Sequence, residues 1–537
     1  MPANLGAILS RRRRAVDDVR EGVTTMSAHR MTREGPGASR ALAWSFVNTA
    51  VSRVGTLGIG IVLARLLGPE AFGTYAVAFV ALAAVLSFNE LGVSLAIVRW
   101  PGNPREIAPT VTTISVLASI LFFAASWVAA APFASAMGDP SAIPVVRILL
   151  LSVLVNGAVA TPAALLQREF RQGTRMIVDQ VNVWSGAIVS IVLAIAGFGA
   201  MSLAIGRIVG TLLSAVLFLL YSPLPYRLGL SRDHLRSLLA FGLPLAGVSL
   251  IVFAVGYADQ LVVGNLLGAT MLGFYVLAFN LASWPVSMFS QPLRSVAPSA
   301  FARLQHAPEA MRTAYLAFLR VVAAVAVPVC FVIAGAAEPV IRFVYGEQWA
   351  PAAQALSWLA VLAAFRIVFE LAYDYLVVAK RSGSLLMVQV TWLAALLPAL
   401  VVGALFGGIG AVAAAQLLVA AVVVTPVYLW RLARAGIRRR DVAVQVWLPL
   451  TVGSVVFAVA RILTLSVQSP FLAAALSGLV ALAAMALLLY RDRATVFSLR
   501  SIGVDVPPVS PVIGPDAQGH PAGIRQNPAA HRAAGRR

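Results

Sequence analysis

RLLGPEAFGTYAVAF at residues 65–79 returns as NLLGATMLGFYVLAF at residues 265–279. Leu66, Leu67, Gly68, Gly73, Tyr75, Ala78 and Phe79 recur at an offset of 200 residues, and a second echo pairs GFGAMSLA (197–204) with GIGAVAAA (408–415). Identities in the same order within like-numbered segments mark an internal repeat rather than shared composition. Each copy lies in a series of apolar stretches separated by short polar breaks, each of about the 20 residues that an α-helix needs to cross a bilayer. Between residues 41 and 490 the pattern predicts about fourteen such crossings, among them 72–97 and 238–263. The expected fold is therefore an all-α polytopic membrane protein. It has two lobes of about six helices each, 41–221 and 238–430, and a C-terminal helix pair at 443–490. An even number of helices per copy sends both copies in from the same side, so the repeat is parallel, about an axis along the membrane normal.

Composition agrees. Hydrophobic residues make up 60% of the 537-residue chain, charged residues 12%, and mean hydropathy is +0.87. A soluble domain carries about 25% charged residues, so most of this surface faces lipid. The net charge of +20 would suggest nucleic acid in a soluble protein. Its placement in tails and alternate loops argues for none. Cys330 stands alone within an apolar stretch and the five histidines are scattered, which excludes internal disulfides, cysteine zinc sites and a histidine metal site. No GxxxxGK loop is present, and no cofactor is expected. Residues 1–40 and 491–537 read as disordered tails. The first is basic, with Arg11 to Arg14, and lacks the pattern of a cleavable signal, so Met26 or Met31 is a possible alternative start.

The loop charges orient the chain. One set of alternate loops carries Arg99 and Arg105, then Arg168, Arg171 and Arg175, then Arg227, Arg232 and Arg236. It continues with Arg294, Arg303 and Arg312, Lys380 and Arg381, and the cluster Arg431, Arg434, Arg438, Arg439 and Arg440. The other set holds only Arg65, Arg147, Arg342 and Arg461. Basic loops stay inside, so both termini are expected in the cytoplasm of a bacterial inner membrane, and splitting or merging one span would flip the bias midway.

Several segments also carry a family likeness: IVLARLLGPEAFGTYAVAF (61–79), ELGVSLAIV (90–98), ALLQREFRQGTRMIVDQ (164–180), YADQLVVGNLLGATMLGFYVLAFNLASWP (257–285) and VYGEQWAPAAQALSWLA (344–360). In order and spacing they resemble the polysaccharide transporters. These are the Wzx-type oligosaccharide-lipid flippases of the multidrug/oligosaccharidyl-lipid/polysaccharide exporter superfamily. The resemblance implies two lobes around a central cavity and translocation of a polyprenyl-diphosphate-linked glycan. Membrane lipids, the lipid-linked oligosaccharide and a polysaccharide polymerase with other assembly proteins are the partners it implies.

Charges inside the spans are the candidate site, since each costs about 2.5–3.5 kcal/mol at mid-bilayer on insertion scales. Arg53 falls near the middle of the first span. Its guanidinium fork matches phosphate oxygens, against the alternative of an arginine paired to a carbonyl. Arg366, Glu370 and Asp374 recur at i, i+4 and i+8 on one helical face. Either Arg366 contacts a diphosphate while Glu370 or Asp374 balances it or takes a coupling cation, or Arg366 and Glu370 simply neutralise each other. Asp259, about one turn from the end of its span, fits three roles: binding a cation, gating the outer mouth, or sitting in the interface. The resembling family often carries an acidic residue there. Arg207, Asp179 and Glu90 rank lower, being placed near helix ends where snorkelling is cheap. GRIVG (206–210) and GNLLG (264–268) have the spacing of close helix packing. Pro244, Pro285, Pro292 and Pro328 are candidate kinks, and Trp284, Trp349 and Trp358 read as interfacial anchors rather than sugar platforms.

Three classes were weighed. A flippase needs a wet, cationic cavity, which fits Arg53 and Arg366. The alternative, a cation-coupled multidrug antiporter of the same superfamily, calls for about twelve helices and an acidic, apolar cavity. An enzyme needs a sizeable outer loop with paired carboxylates or a histidine. The longest such loop, about 133–146, holds only Asp139.

Overall fold

The structure is a computed structural model that describes residues 37–89, 93–100, 102–379 and 382–495. Residues 1–36, 496–537 and Glu90 lie outside the described residues, as do the side chains of Arg53, Pro244 and Pro292. In chain order the helices are α1 Gly37–Asn89, α2 Val93–Arg99, α3 Pro104–Ala136, α4 Ile143–Arg168, α5 Gln172–Ile195 and α6 Ala200–Leu220. They continue with α7 Arg232–Leu267, α8 Ala269–Arg303, α9 Pro308–Gly335, α10 Ala337–Tyr345, α11 Ala352–Val378 and α12 Ser382–Val419. A π turn at Ala420–Val424 leads to α13 Thr425–Arg434, α14 Arg439–Ser466 and α15 Pro470–Arg491. Among the described residues, twelve stretches are long and apolar enough to cross a membrane. Two of them contain a break: α1 at Gly68, and α12 at Gly407–Gly408.

The repeat is visible in the backbone. Gly68 takes φ 74° and ψ 172°, and Gly268, between α7 and α8, takes φ 86° and ψ 171°. Only glycine holds this positive φ without strain, which is why the two LLG segments break their helices in the same way.

Two groups of helices follow from the packing. Helices α1, α3, α4, α5 and α6 pack among themselves, as do α7, α8, α9, α11 and α12. The groups meet where α1 crosses α7 and α8, and again where the start of α7 packs on α2 and α3. At that crossing Gly73 lies against Ala269, and Gly273 against Pro69. A Cβ on Gly73 would collide with the Ala269 carbonyl, and one on Gly273 would lie 2.6 Å from the Pro69 carbonyl oxygen. Because 73 and 273, and 69 and 269, are matching positions of the repeat, the contact is reciprocal and the pseudo-twofold axis passes through it.

The same end is tied further. Arg65 donates to the Val344 carbonyl at 2.8 Å, and Asn265 to the Ala136 carbonyl at 2.6 Å. The Trp349 indole N–H reaches the Ala64 carbonyl at 3.1 Å. Trp349 is fully buried, edge-on to Phe72 and Phe274 at 5.5 and 5.8 Å between ring centroids. It therefore plugs the joint between the lobes, where an interfacial anchor was expected from sequence. A lone tryptophan in a short loop cannot signal whether lipid headgroups or protein surround it. Trp349→Ala is expected to lower stability by about 3–5 kcal/mol. Trp349→Phe, which keeps a ring and loses the hydrogen bond, should cost about 1 kcal/mol. Thermal unfolding of the two variants in detergent would test the difference.

Several boundaries differ from the sequence expectation. Of the span 72–97, α1 covers the part up to Asn89 and α2 the part from Val93. Helix α7 runs to Leu267 rather than 263. The amphipathic α10, which packs on α15, was not expected at all. Helices α14 and α15 pack on each other and on α9. Arg312 of α9 pairs with Asp441 at 2.5 Å, and Arg320 with the buried Asp492. GRIVG serves packing: Gly206 and Gly210 lie against Gly186, Ser190 and Asn182 of α5. Pro328 is carried inside α9.

Candidate functional site

Asp259 and Gln260 on α7 are only 4% and 6% exposed. A carboxylate removed from solvent needs hydrogen bonds to replace the water it lost. Asp259 receives them from the Tyr275 hydroxyl of α8 at 2.8 Å, the Gln416 amide of α12 at 2.9 Å and the Gln260 backbone N–H at 2.9 Å. The Gln416 amide also donates to the Tyr275 hydroxyl at 2.5 Å, closing a triangle among three helices. Gln416 lies one turn before the π turn at Ala420–Val424, the kind of local widening found often at functional sites.

Arg366 of α11 completes this cluster. Its guanidinium stands 5.3 Å from the centroid of Phe279, one turn beyond Tyr275, within cation–π range. It also lies close enough to Asp259 and Tyr275 to act on both electrostatically. The cluster thus combines a buried carboxylate, a phenol, a carboxamide and a nearby guanidinium. Such a set can hold a proton or small cation at Asp259, and can exchange the Arg366–Asp259 attraction for a different anion.

The structure brings Arg366 and Asp259 together, although 107 positions separate them in the chain. It does not gather the whole α11 stripe at one point. Glu370 lies half-buried, within electrostatic reach of Tyr428, and Asp374 is buried about another turn along. Among the described ion pairs, none joins Arg366 to Glu370. Asp259 is two turns inside the end of α7 rather than one, because the helix continues to Leu267. The backbone of Arg53 is helical within α1.

Three participants escaped the sequence reading. Tyr275 was in view as a repeated residue, without a role. Gln416 directly follows the second echo, and a single amide in the run AVAAAQLLVA was the available signal. Arg207 ranked low by its place along the span, and the sequence offered no sign of the ring it stands over. With Gly206 and Gly210 turned toward α5, Arg207 stands 5.3 Å over Phe79 of α1, with the Tyr75 hydroxyl in electrostatic reach.

A helical membrane protein made of two repeated lobes with charge buried among its helices has the architecture of the multidrug/oligosaccharidyl-lipid/polysaccharide exporter superfamily. Within it the chain belongs to the polysaccharide biosynthesis protein family, whose model matches residues 62–354. It is 26% identical over 329 residues to the succinoglycan biosynthesis transport protein ExoT of Rhizobium meliloti (strain 1021), a match covering 60% of this chain and 65% of that one. It is 25% identical over 331 residues to the lipopolysaccharide biosynthesis protein WzxC of Escherichia coli (strain K12), covering 60% and 66%. The match thus spans just under two thirds of the length of each relative. The fold is similar to that of the lipid II flippase MurJ in an inward closed conformation, with a TM-score of 0.70 at 14% identity over 83% of this chain and 99% of that one.

Proposed function

We propose that the chain is a flippase. It carries polyprenyl-diphosphate-linked oligosaccharide, a precursor of cell-surface polysaccharide or lipopolysaccharide, from the inner to the outer leaflet of a bacterial cytoplasmic membrane by alternating access. The observation that carries this reading is buried charge set among the helices of two repeated lobes that meet in a reciprocal, backbone-close glycine contact. Parallel repeats of this kind rock about a site between them. The names of the relatives, in succinoglycan transport and lipopolysaccharide biosynthesis, support the class of cargo.

In this reading the breaks at Gly68 and Gly407–Gly408 are reversals, so the chain crosses about fourteen times with both termini in the cytoplasm. The lobes are 41–221 and 238–430, and 443–490 is an added helix pair. The Gly68–Gly268 end then faces outward and is shut, leaving the cavity to open inward. Arg53 and Arg366 receive the anionic headgroup. Asp259, Glu370 and Asp374 serve ion coupling or gating, and a polysaccharide polymerase takes up the product outside.

The test is the leaflet location of glycan lipids in a strain depleted of the protein, read by mass spectrometry after treating intact cells with an impermeant glycosidase. A protected, inward-facing glycan lipid should accumulate. Arg53→Ala and Arg366→Ala should give the same phenotype while the protein still inserts and accumulates. Unchanged surface glycan with no build-up would overturn the reading in favour of small-molecule export.

A further inference from the structure

Tyr75 and Phe79 on α1 and Tyr275 and Phe279 on α8 are the same two positions of the repeat, one turn apart on each helix. A guanidinium stands over each phenylalanine at the same distance of 5.3 Å: Arg207 over Phe79 and Arg366 over Phe279. Duplication accounts for the two Tyr–Phe platforms. It does not account for the arginines, which come from α6 in one lobe and α11 in the other. In the register of the second echo, the position matching Arg207 is Leu418. Two non-equivalent helices therefore deliver a cation to equivalent platforms, which calls for a shared chemical task.

The two halves differ in charge. Neither arginine takes part in a described ion pair, but Arg366 has the Asp259 carboxylate in electrostatic range. The described neighbours of Arg207 are aromatic: the face of Phe79 and, within electrostatic reach, the Tyr75 hydroxyl and, across the joint between lobes, Tyr257 of α7, which Asp259 reaches as well. Tyr257 is itself stacked on Phe253 at 5.0 Å. Arg207 is exposed, and its electrostatic reach to Tyr257 of the other lobe sets it on the side of α6 nearest the joint. A guanidinium stacked on a ring keeps its N–H edge free to grip a planar or tetrahedral oxyanion in two-point fashion. A cation set among membrane helices with no ion-pair partner among the described residues is poised for an anionic ligand.

Resting on the flippase reading, we propose that Arg207 is an oxyanion-binding residue for the cargo. Tyr75, Phe79 and Tyr257 position it, and Arg366 stands opposite on the matching platform. The anion is a carboxylate of an acidic sugar or a phosphate of the prenyl diphosphate, and the neighbouring rings offer an apolar face to the attached sugar or chain.

The experiment measures binding to the purified full chain in nanodiscs with two probes, geranylgeranyl diphosphate and a glucuronate-containing oligosaccharide. Geranylgeraniol and the methyl-esterified oligosaccharide serve as uncharged controls. Arg207→Gln is expected to weaken the charged probe by about ten- to a hundred-fold, as loss of charge-assisted hydrogen bonds does, without changing the weak binding of its control. Arg207→Lys, which keeps the charge without the fork, should fall between. Asp259→Asn, which frees Arg366 of its carboxylate, should bind the charged probe at least as tightly as the unmodified chain. Loss confined to the diphosphate assigns the site to the carrier headgroup, and loss confined to the glucuronate assigns it to the sugar; both support the proposal. Undiminished binding of both charged probes by a folded Arg207→Gln overturns it. So does an unmodified chain that binds neither charged probe yet exports glycan in the leaflet assay, which leaves the flippase reading standing. Binding that depends on Arg207, with no glycan lipid moved, would sink the flippase reading and keep the site.

Discussion

Gly273→Val opens the joint between the lobes. Its Cβ would lie 2.6 Å from the Pro69 carbonyl oxygen, 2.9 Å from the Gly73 nitrogen and 3.0 Å from the Gly73 Cα. All three are backbone atoms of the opposite lobe, so no side chain can swing aside and the helices themselves must part. Overpacking in a fitted interior costs about 1–3 kcal/mol even where side chains can adjust. About 3 kcal/mol moves a two-state equilibrium more than a hundred-fold. Spin labels attached through Glu70→Cys and Thr270→Cys, exposed and matching positions flanking the joint, would report it in a Cys330→Ser background. That background is simple because Cys330 is the chain's sole cysteine. The label distance should lengthen with Gly273→Val. It should stay constant with Gly58→Val, since a Cβ at Gly58 meets nothing within 4 Å. An unchanged distance in Gly273→Val would mean that the reciprocal glycine contact does not set the closure.

Asp259→Ala dismantles the buried triangle, with two readouts. Hydrogen bonds to a charged group are worth about 1.5–3 kcal/mol each. Losing those from Tyr275 and Gln416 should lower stability by roughly 3 kcal/mol, softened because the Gln416 amide can still donate to the Tyr275 hydroxyl. Asp259→Asn keeps the shape and most of the hydrogen bonding, so it should unfold within about 1 kcal/mol of the unmodified chain. Both variants should fail to export glycan if the charge of Asp259 couples transport. Export by Asp259→Asn at the unmodified rate would leave the residue a structural role only. Measuring unfolding and export on the same preparations separates a broken fold from a broken mechanism.

The two arginine platforms show how far a sequence can be read. Tyr75, Phe79, Tyr275 and Phe279 were legible at once, because they repeat at a fixed offset. Their partners were not. Arg366 was noticed because it is charged mid-span, but its α11 neighbours Glu370 and Asp374 suggested a partner on its own helix. The structure instead sets it over Phe279 of α8 and within electrostatic range of Asp259 on α7, neighbours that helical periodicity cannot encode. Arg207 ranked low because the sequence gives its place along the helix but not the neighbours its side chain meets. The direction of its side chain depends on Gly206 and Gly210 being held against α5, a packing fact. Trp349 was misread for the same reason: burial of a loop tryptophan depends on what closes over it.

What the sequence determined by itself is local or additive. Runs of apolar residues set the membrane helices, the alternation of arginines predicts their orientation, and the two LLG segments impose the same positive-φ break because only glycine takes it without strain. What only the tertiary structure decided is which distant groups share a low-dielectric space. The Asp259–Tyr275–Gln416 triangle draws on three helices, and the two guanidiniums reach equivalent rings from non-equivalent helices. A buried charge is stabilised by whatever polar group packing brings within hydrogen-bond reach, and that reach is a few ångströms in space whatever the separation along the chain.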